Sequence, residues 1–152
     1  MKYFTIKELT SSPTAARKGI NNEPSKAVVA ALAALVDNVL DPLREAWGAP
    51  IIVTSGYRCA RLNKVVGGAK NSAHTYGQAA DIKTVADTFA ENKRLFDLIR
   101  KSQIPFDKMI WEHGNDIGPD WIHISFRPGP RGIILRGPFR DARGITYYTR
   151  LN

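Results

Sequence analysis

Between Asn22 and Gly48 the apolar residues Val28, Leu32, Leu35, Val36, Val39, Leu43 and Trp47 recur every three or four positions, the spacing of one face of a helix. Asn22 is placed to cap this helix, Pro24 is tolerated in a first turn, and Gly48 ends it. Pro42 falls inside the pattern, where it removes a donor and crowds the preceding turn, so the helix should kink or divide there. A second helix is predicted from about Asp87 to Lys101, with Phe89, Leu95, Phe96, Leu98 and Ile99 on its apolar face. Elsewhere the pattern shortens to strands: Pro50–Thr54, halted by Ser55-Gly56; Gln78–Ile82; Phe106–Trp111; Trp121–Phe126; and a short Ile133–Leu135. Residues 1–21, with the turn cluster Ser11-Ser12-Pro13-Thr14, and residues 57–80 read as connecting segments. The order predicts one small α+β domain over residues 1–152, an antiparallel sheet flanked by helices.

Composition narrows the class. At 152 residues, 43% hydrophobic and 24% charged, the chain can bury a real core and is neither disordered nor membrane-spanning. Its most apolar stretch, Val28–Leu43, is interrupted by Asp37, Asp41 and Pro42. The start, Met1-Lys2-Tyr3-Phe4-Thr5-Ile6-Lys7-Glu8, has no apolar signal region, so synthesis in the cytoplasm is expected. A single cysteine, Cys59, rules out an internal disulfide and a sulfur-rich metal site, so a monomer held by packing is expected. The net charge of +8 favours an anionic partner. Half of that excess, +4, lies in residues 128–152, where five arginines stand against Asp141. No helix-turn-helix, zinc-finger spacing or aromatic–basic motif accompanies the charge, so no specific nucleic acid is expected.

Histidine is scarce, three residues in all, and two of the three sit in informative settings. His74 precedes Asp81 by seven residues within a run of small side chains, Ser72-Ala73-His74-Thr75-Tyr76-Gly77-Gln78-Ala79-Ala80-Asp81. Asp81 has apolar neighbours, and if buried it needs a compensating cation. In the strand Trp121–Phe126, Ile122, Ile124 and Phe126 form one face, which leaves His123 on the other with Trp121 and Ser125. A rigid strand histidine facing a His/Asp pair suits a three-ligand zinc site with an open fourth position. By spacing alone, a strand histidine is more often a packed or solvated residue than a ligand.

Three motifs in order add to this: Ser55-Gly56-Tyr57-Arg58, then Ser72-x-His74-x-x-Gly77-x-Ala79-x-Asp81, then Asp120-Trp121-Ile122-His123. Together, over about residues 25–126, the chain resembles the M15 zinc peptidases, which include D-Ala-D-Ala carboxypeptidases and the L-alanyl-D-glutamate endopeptidases of phage lysins. Leu40-Asp41-Pro42-Leu43-Arg44 and Val66-Gly67-Gly68 also fit the compact phage-type branch. The resemblance implies His74, Asp81 and His123 as zinc ligands, Asp120 as general base, Arg58 as the group facing the oxyanion, and Ser72 as a substrate contact. It implies a zinc site in a cleft on the sheet and a peptidoglycan stem peptide as substrate, with residues 127–152 a basic C-terminal extension drawn to an anionic cell wall. The enzyme would then act on the wall after release or export.

Some assignments stay open. Three residues along an ideal strand would turn Asp120 away from His123, so Asp120 is expected in the Gly118-Pro119 turn, before regular strand geometry; failing that, Glu112 is the base. Trp121 lines the cleft or merely packs. Glu112 and His113 support the site or form a solvated strand end. Cys59 reads as a small buried apolar residue. The competing function is a non-catalytic domain of the same fold, binding cell wall or serving as a phage structural component.

Overall fold

A computed structural model describes residues 1–152. Two short helices open the chain, α1 (Ile6–Thr10) and α2 (Pro13–Arg17), each capped by a hydroxyl, Thr5 and Ser12 respectively. The Ser-Ser-Pro-Thr segment expected as a turn is thus partly a helix start, with Pro13 at its first position.

The long helix begins at Lys26, not at Asn22. The Ser25 hydroxyl accepts from the Val28 amide at 3.3 Å, which leaves Pro24 outside the helix. Asn22 is used elsewhere: its amide donates to the Thr10 and Tyr57 carbonyls at 2.9 and 3.0 Å, and its carbonyl accepts from Cys59 N–H at 2.7 Å. The division expected at Pro42 is present. After α3 (Lys26–Leu35) a π-helical segment, Val36–Leu40, leads into α4 (Asp41–Trp47). The wider turn makes room for a proline ring ahead of a carbonyl that loses its donor. Gly48 closes α4 at φ 74°, a left-handed conformation that suits glycine.

Then follow β1 (Ile51–Ser55), α5 (Ala60–Val65), a 3₁₀ turn (Ala73–Tyr76), β2 (Ala79–Thr84), α6 (Phe89–Lys101), β3 (Lys108–Glu112), β4 (Trp121–Ser125), β5 (Ile133–Arg140) and β6 (Thr146–Arg150). The six strands make one sheet in the order β1-β2-β4-β3-β5-β6. All neighbours are antiparallel except β3 and β5, so the sheet is mostly antiparallel, as expected. The C-terminal segment is therefore not an appendage: it contributes two strands to the same sheet.

A hub around Asp107 fixes that parallel join. Its N–H donates to Ser125 O at 2.7 Å and its carbonyl accepts from Ile133 N–H at 3.0 Å. Its carboxylate takes Arg131 through two nitrogens, both at 2.8 Å, and Arg127 Nε at 3.0 Å. These bonds, Arg131's first, outweigh burial and hold the carboxyl down at about 2.

Strand alternation gives the sheet two unlike faces. Ala80, Ile82, Ile122, Ile124, Met109 and Trp111 point to one side and join Leu32, Leu35, Val39, Leu43, Leu95, Phe96 and Ile99 in a single buried cluster. Each fully buried aliphatic side chain there contributes roughly 1.5–3 kcal/mol of transfer free energy. The other side carries Asp81, His123, Ile110 and Leu135, which the pairing places in one row. Helices α3, α4 and α6 pack on the apolar face, whereas only the short turn that carries His74 meets the polar face at Asp81 and His123.

Candidate metal centre

Asp81 and His123 are direct cross-strand partners on β2 and β4, so two candidate ligands are fixed by sheet register. His74 comes from the 3₁₀ turn, whose N-cap is Ser72: its hydroxyl accepts from His74 N–H at 3.3 Å. The turn is docked on the β1–α5 loop. His74 Nδ1 donates to the Gly56 carbonyl at 2.7 Å and Arg58 N–H donates to the His74 carbonyl at 3.2 Å. Gly56 is required by close approach, because a Cβ there would run into the Leu9 backbone.

The Gly56 carbonyl can only accept, so the His74 proton sits on Nδ1 and Nε2 presents a lone pair. That lone pair lies 3.2 Å from Asp81 Oδ1 and 3.2 Å from His123 Nδ1, and His123 Nδ1 lies 3.1 Å from the same oxygen. A nitrogen lone pair facing a carboxylate oxygen in a buried setting is unfavourable without a cation between them. Ligands about 2.0–2.2 Å from a tetrahedral zinc stand roughly 3.3 Å apart, close to all three edges of this triangle. The donor set is therefore suited to a divalent ion, with Gly56 orienting one ligand from behind. His74 is 2% and Asp81 8% exposed. Burial alone would push the Asp81 carboxyl up, but positive charge and hydrogen-bond donation on the histidine side outweigh it and hold the group well below the usual carboxylate range, a demand that a proton or a metal cation between these atoms would meet.

Around the triangle, the expected residues fall in three places. Arg58 is half-buried at the cleft edge; burial pulls its guanidinium down while Asp81 and Glu112 oppose that. Its Nε is buried without a partner, and its other nitrogens make only long contacts, 3.4 Å to Ser55 Oγ and 3.5 Å to Ser72 Oγ. Asp120 lies in the turn immediately before β4, as expected. Its backbone N–H donates to Glu112 O and its carbonyl accepts from buried Asn92 on α6. A cavity of about 440 Å³ is lined by Thr54, Ser55, Asp81, Lys83, Asp87, Asp120 and Trp121, so Asp120 and Trp121 both border the cleft that reaches Asp81. The Trp121 indole N–H is also buried without a partner, and its ring lies 5.0 Å from that of His113.

Glu112 is half-buried on β3, directly across from Trp121. Burial is the main cause that pushes its carboxyl up, to about 7, with Asp81 adding and His123 and Arg58 opposing. Ser72 is largely committed to holding the His74 turn and the Arg58 guanidinium. Cys59 is no inert apolar filler: it is only half-buried and its sulfur caps α5, accepting from Leu62 N–H at 3.4 Å. A surface cavity of about 660 Å³ lies away from all this between α4 and α6. Of the charged groups on its wall, Glu91 and Arg94 pair with each other and Asp97 pairs with Lys93.

Sequence reasoning missed two contributors. Asn22 pins the Tyr57-Arg58-Cys59 loop through two hydrogen bonds and ties it to Thr10 through a third; an asparagine two residues before a proline reads as a cap or turn, and no local signal marks such a long-range staple. The β6 strand was also missed, because Tyr147, Tyr148 and Thr149 are too few and too polar-flanked to show alternation.

A family model described as Peptidase M15 matches residues 2–125. The zinc D-Ala-D-Ala carboxypeptidase of Streptomyces albus G is 50% identical over 44 residues, 28% of this chain and 17% of that protein. The shared stretch is thus under a fifth of the relative's length, while β5 and β6 lie beyond the family-matched residues.

Proposed function

Because the chain belongs to the peptidase M15 family, we propose that it is a zinc-dependent peptidase of peptidoglycan stem peptides, with His74, Asp81 and His123 as the metal ligands. The observation that carries this reading is the triangle of three donor atoms with edges of 3.1–3.2 Å and a buried lone pair turned inward. The relative named above as a zinc D-Ala-D-Ala carboxypeptidase supports the metal and the substrate class.

His74, Asp81 and His123 would hold the zinc ion, which would supply positive charge to acidify a water and polarise a carbonyl. The chain's own groups do the remainder. Asp120, exposed on the cavity wall that also includes Asp81, accepts the proton of the attacking water. Arg58, desolvated and without a carboxylate partner, directs its guanidinium at the oxygen that becomes negative. Its unpartnered Nε–H and the Trp121 indole N–H are two buried donors that a peptide backbone would satisfy. Ser72 orients Arg58 and the His74 turn. Glu112 is the second carboxylate of the site; its burial among His123, Asp81 and Arg58 favours it as an alternative base. The basic surface draws the protein to an anionic cell wall.

Mass spectrometry of muropeptides from purified peptidoglycan, run with zinc analysis of the protein, tests the proposal. The expected result is about one zinc per chain and chelator-sensitive cleavage in the stem. Loss of a terminal alanine identifies a carboxypeptidase, and a cut within the stem an endopeptidase. A metal-free protein that binds walls and leaves every muropeptide intact overturns the reading in favour of a non-catalytic domain.

A further inference from the structure

The β5–β6 hairpin lies outside the family-matched residues 2–125 and supplies no candidate ligand, yet it reaches the cleft. Gly137 on β5 is the register partner of Glu112 on β3. With no side chain at 137, a gap opens beside Glu112 on the face that carries Asp81 and His123. Tyr148 fills that gap: a Cβ built on Gly137 would stand 2.7 Å from the Tyr148 ring. The adjacent Tyr147 turns to the opposite face and stacks on Phe139, centroids 5.5 Å apart. Alternation along β6 therefore divides the two tyrosines, one closing the hairpin and the other facing the cleft.

The Tyr148 side chain is only partly covered, at 42% exposed. Burial, and after it the charges of Glu112 and Asp81, push its phenol up, so the hydroxyl stays protonated and is a donor at neutral pH. It lies within the field of both carboxylates. A ring wanted only as filler over glycine would be served equally by phenylalanine.

We propose that Tyr148 is a substrate-positioning residue, its hydroxyl donating a hydrogen bond to an acceptor oxygen of a peptide laid between Glu112 and the C-terminal hairpin. The hairpin is then a wall of the substrate cleft that the rest of the domain does not supply. The identity of the peptide rests on the peptidase reading; the contact itself does not require hydrolysis.

The test uses the full chain and a synthetic stem pentapeptide ending in D-Ala-D-Ala. Binding is measured by calorimetry on chelator-stripped protein, and kcat and KM on zinc-loaded protein. Tyr148→Phe keeps the ring over Gly137 and should weaken binding about 5- to 10-fold, with a matching rise in KM and an unchanged melting temperature. Gly137→Ala, which forces the ring aside, should lower affinity in the same direction, and Tyr147→Phe should leave it unchanged. Wild-type affinity in Tyr148→Phe overturns the proposal, as does absence of peptide binding by the wild type. Binding that depends on Tyr148 without any cleavage supports the contact and counts against the peptidase reading alone.

Discussion

The central strand pair β2–β4 and the edge hairpin β5–β6 belong to one sheet but are held by different physics. At the centre, Ala79, Ala80, Ile82, Ile122 and Ile124 are wholly buried, and register is set because a one-residue slip would carry every apolar side chain out of the core. That rigidity is what brings Asp81 opposite His123. At the edge, every residue of β6 is exposed, and position depends on a few hydrogen bonds and one hub of charge. On the proposed reading, the metal ligands, which must be placed to tenths of an ångström, stand where packing leaves no alternative, whereas Tyr148, the proposed substrate contact, stands on the less constrained edge.

The sharpest break of this comparison is at the centre. His123→Ala should abolish both metal binding and hydrolysis while the apolar face, and so the fold, persists. Elemental analysis and circular dichroism on one preparation check it; retained zinc would show that the triangle is not the metal site. Next in size is Asp120→Asn, expected to keep zinc and to lose about 10²- to 10⁴-fold in kcat. Glu112→Gln run beside it decides between the two carboxylates: full activity in Asp120→Asn with loss in Glu112→Gln moves the base to β3.

The contrast also explains what the sequence could reveal. His74, Asp81 and His123 were legible because small residues and strand alternation are local signals, and three ordered motifs compound them. The helix divided at Pro42 was legible for the same reason, a backbone donor missing from a regular pattern. The helix start was misplaced because both Asn22 and Ser25 can cap, and only the fold shows that Asn22 is already occupied by Thr10, Tyr57 and Cys59. The parallel pairing of β5 with β3 was invisible because it joins strands more than 20 residues apart in the chain, and Tyr148 lying over Gly137 was invisible because β6 itself carries too weak a strand pattern.

The edge is tested first at its hub. Asp107 is 6% exposed and holds Arg131 and Arg127 where β3, β4 and β5 meet. Its folded carboxyl sits at about 2, against about 3.9 in an unfolded chain. The carboxylate therefore stabilises the fold fully above about pH 5, and the contribution fades as pH falls through 4 toward 2. Because both arginines are nearly half exposed, the screened contribution is about 1–2 kcal/mol. Asp107→Asn should lower stability by that amount at pH 7 and flatten its acid dependence, as followed by denaturant melts across pH 2–7. An unchanged pH profile would mean that the charge is not what fastens the hairpin.

The smallest effect is expected at the hairpin tip, where a charge pair and a turn share the same residue. Arg143 and Asp141 form an exposed pair, 79% and 31% by side chain, and such pairs contribute little. The Asp141 carboxylate, however, also accepts the backbone N–H groups of Arg143 and Ile145, both at 2.9 Å. These backbone bonds, Ile145's first, help hold its carboxyl below the ordinary range. A side chain that takes two turn amides substitutes for missing ladder bonds. Arg143→Ala should then leave the melting temperature within about 2 °C of the wild type, and Asp141→Ala should lower it clearly more. Equal shifts in the two variants would show that the edge is held by charge pairing after all, which would also weaken the case that turn geometry sets where β6, and with it Tyr148, lies.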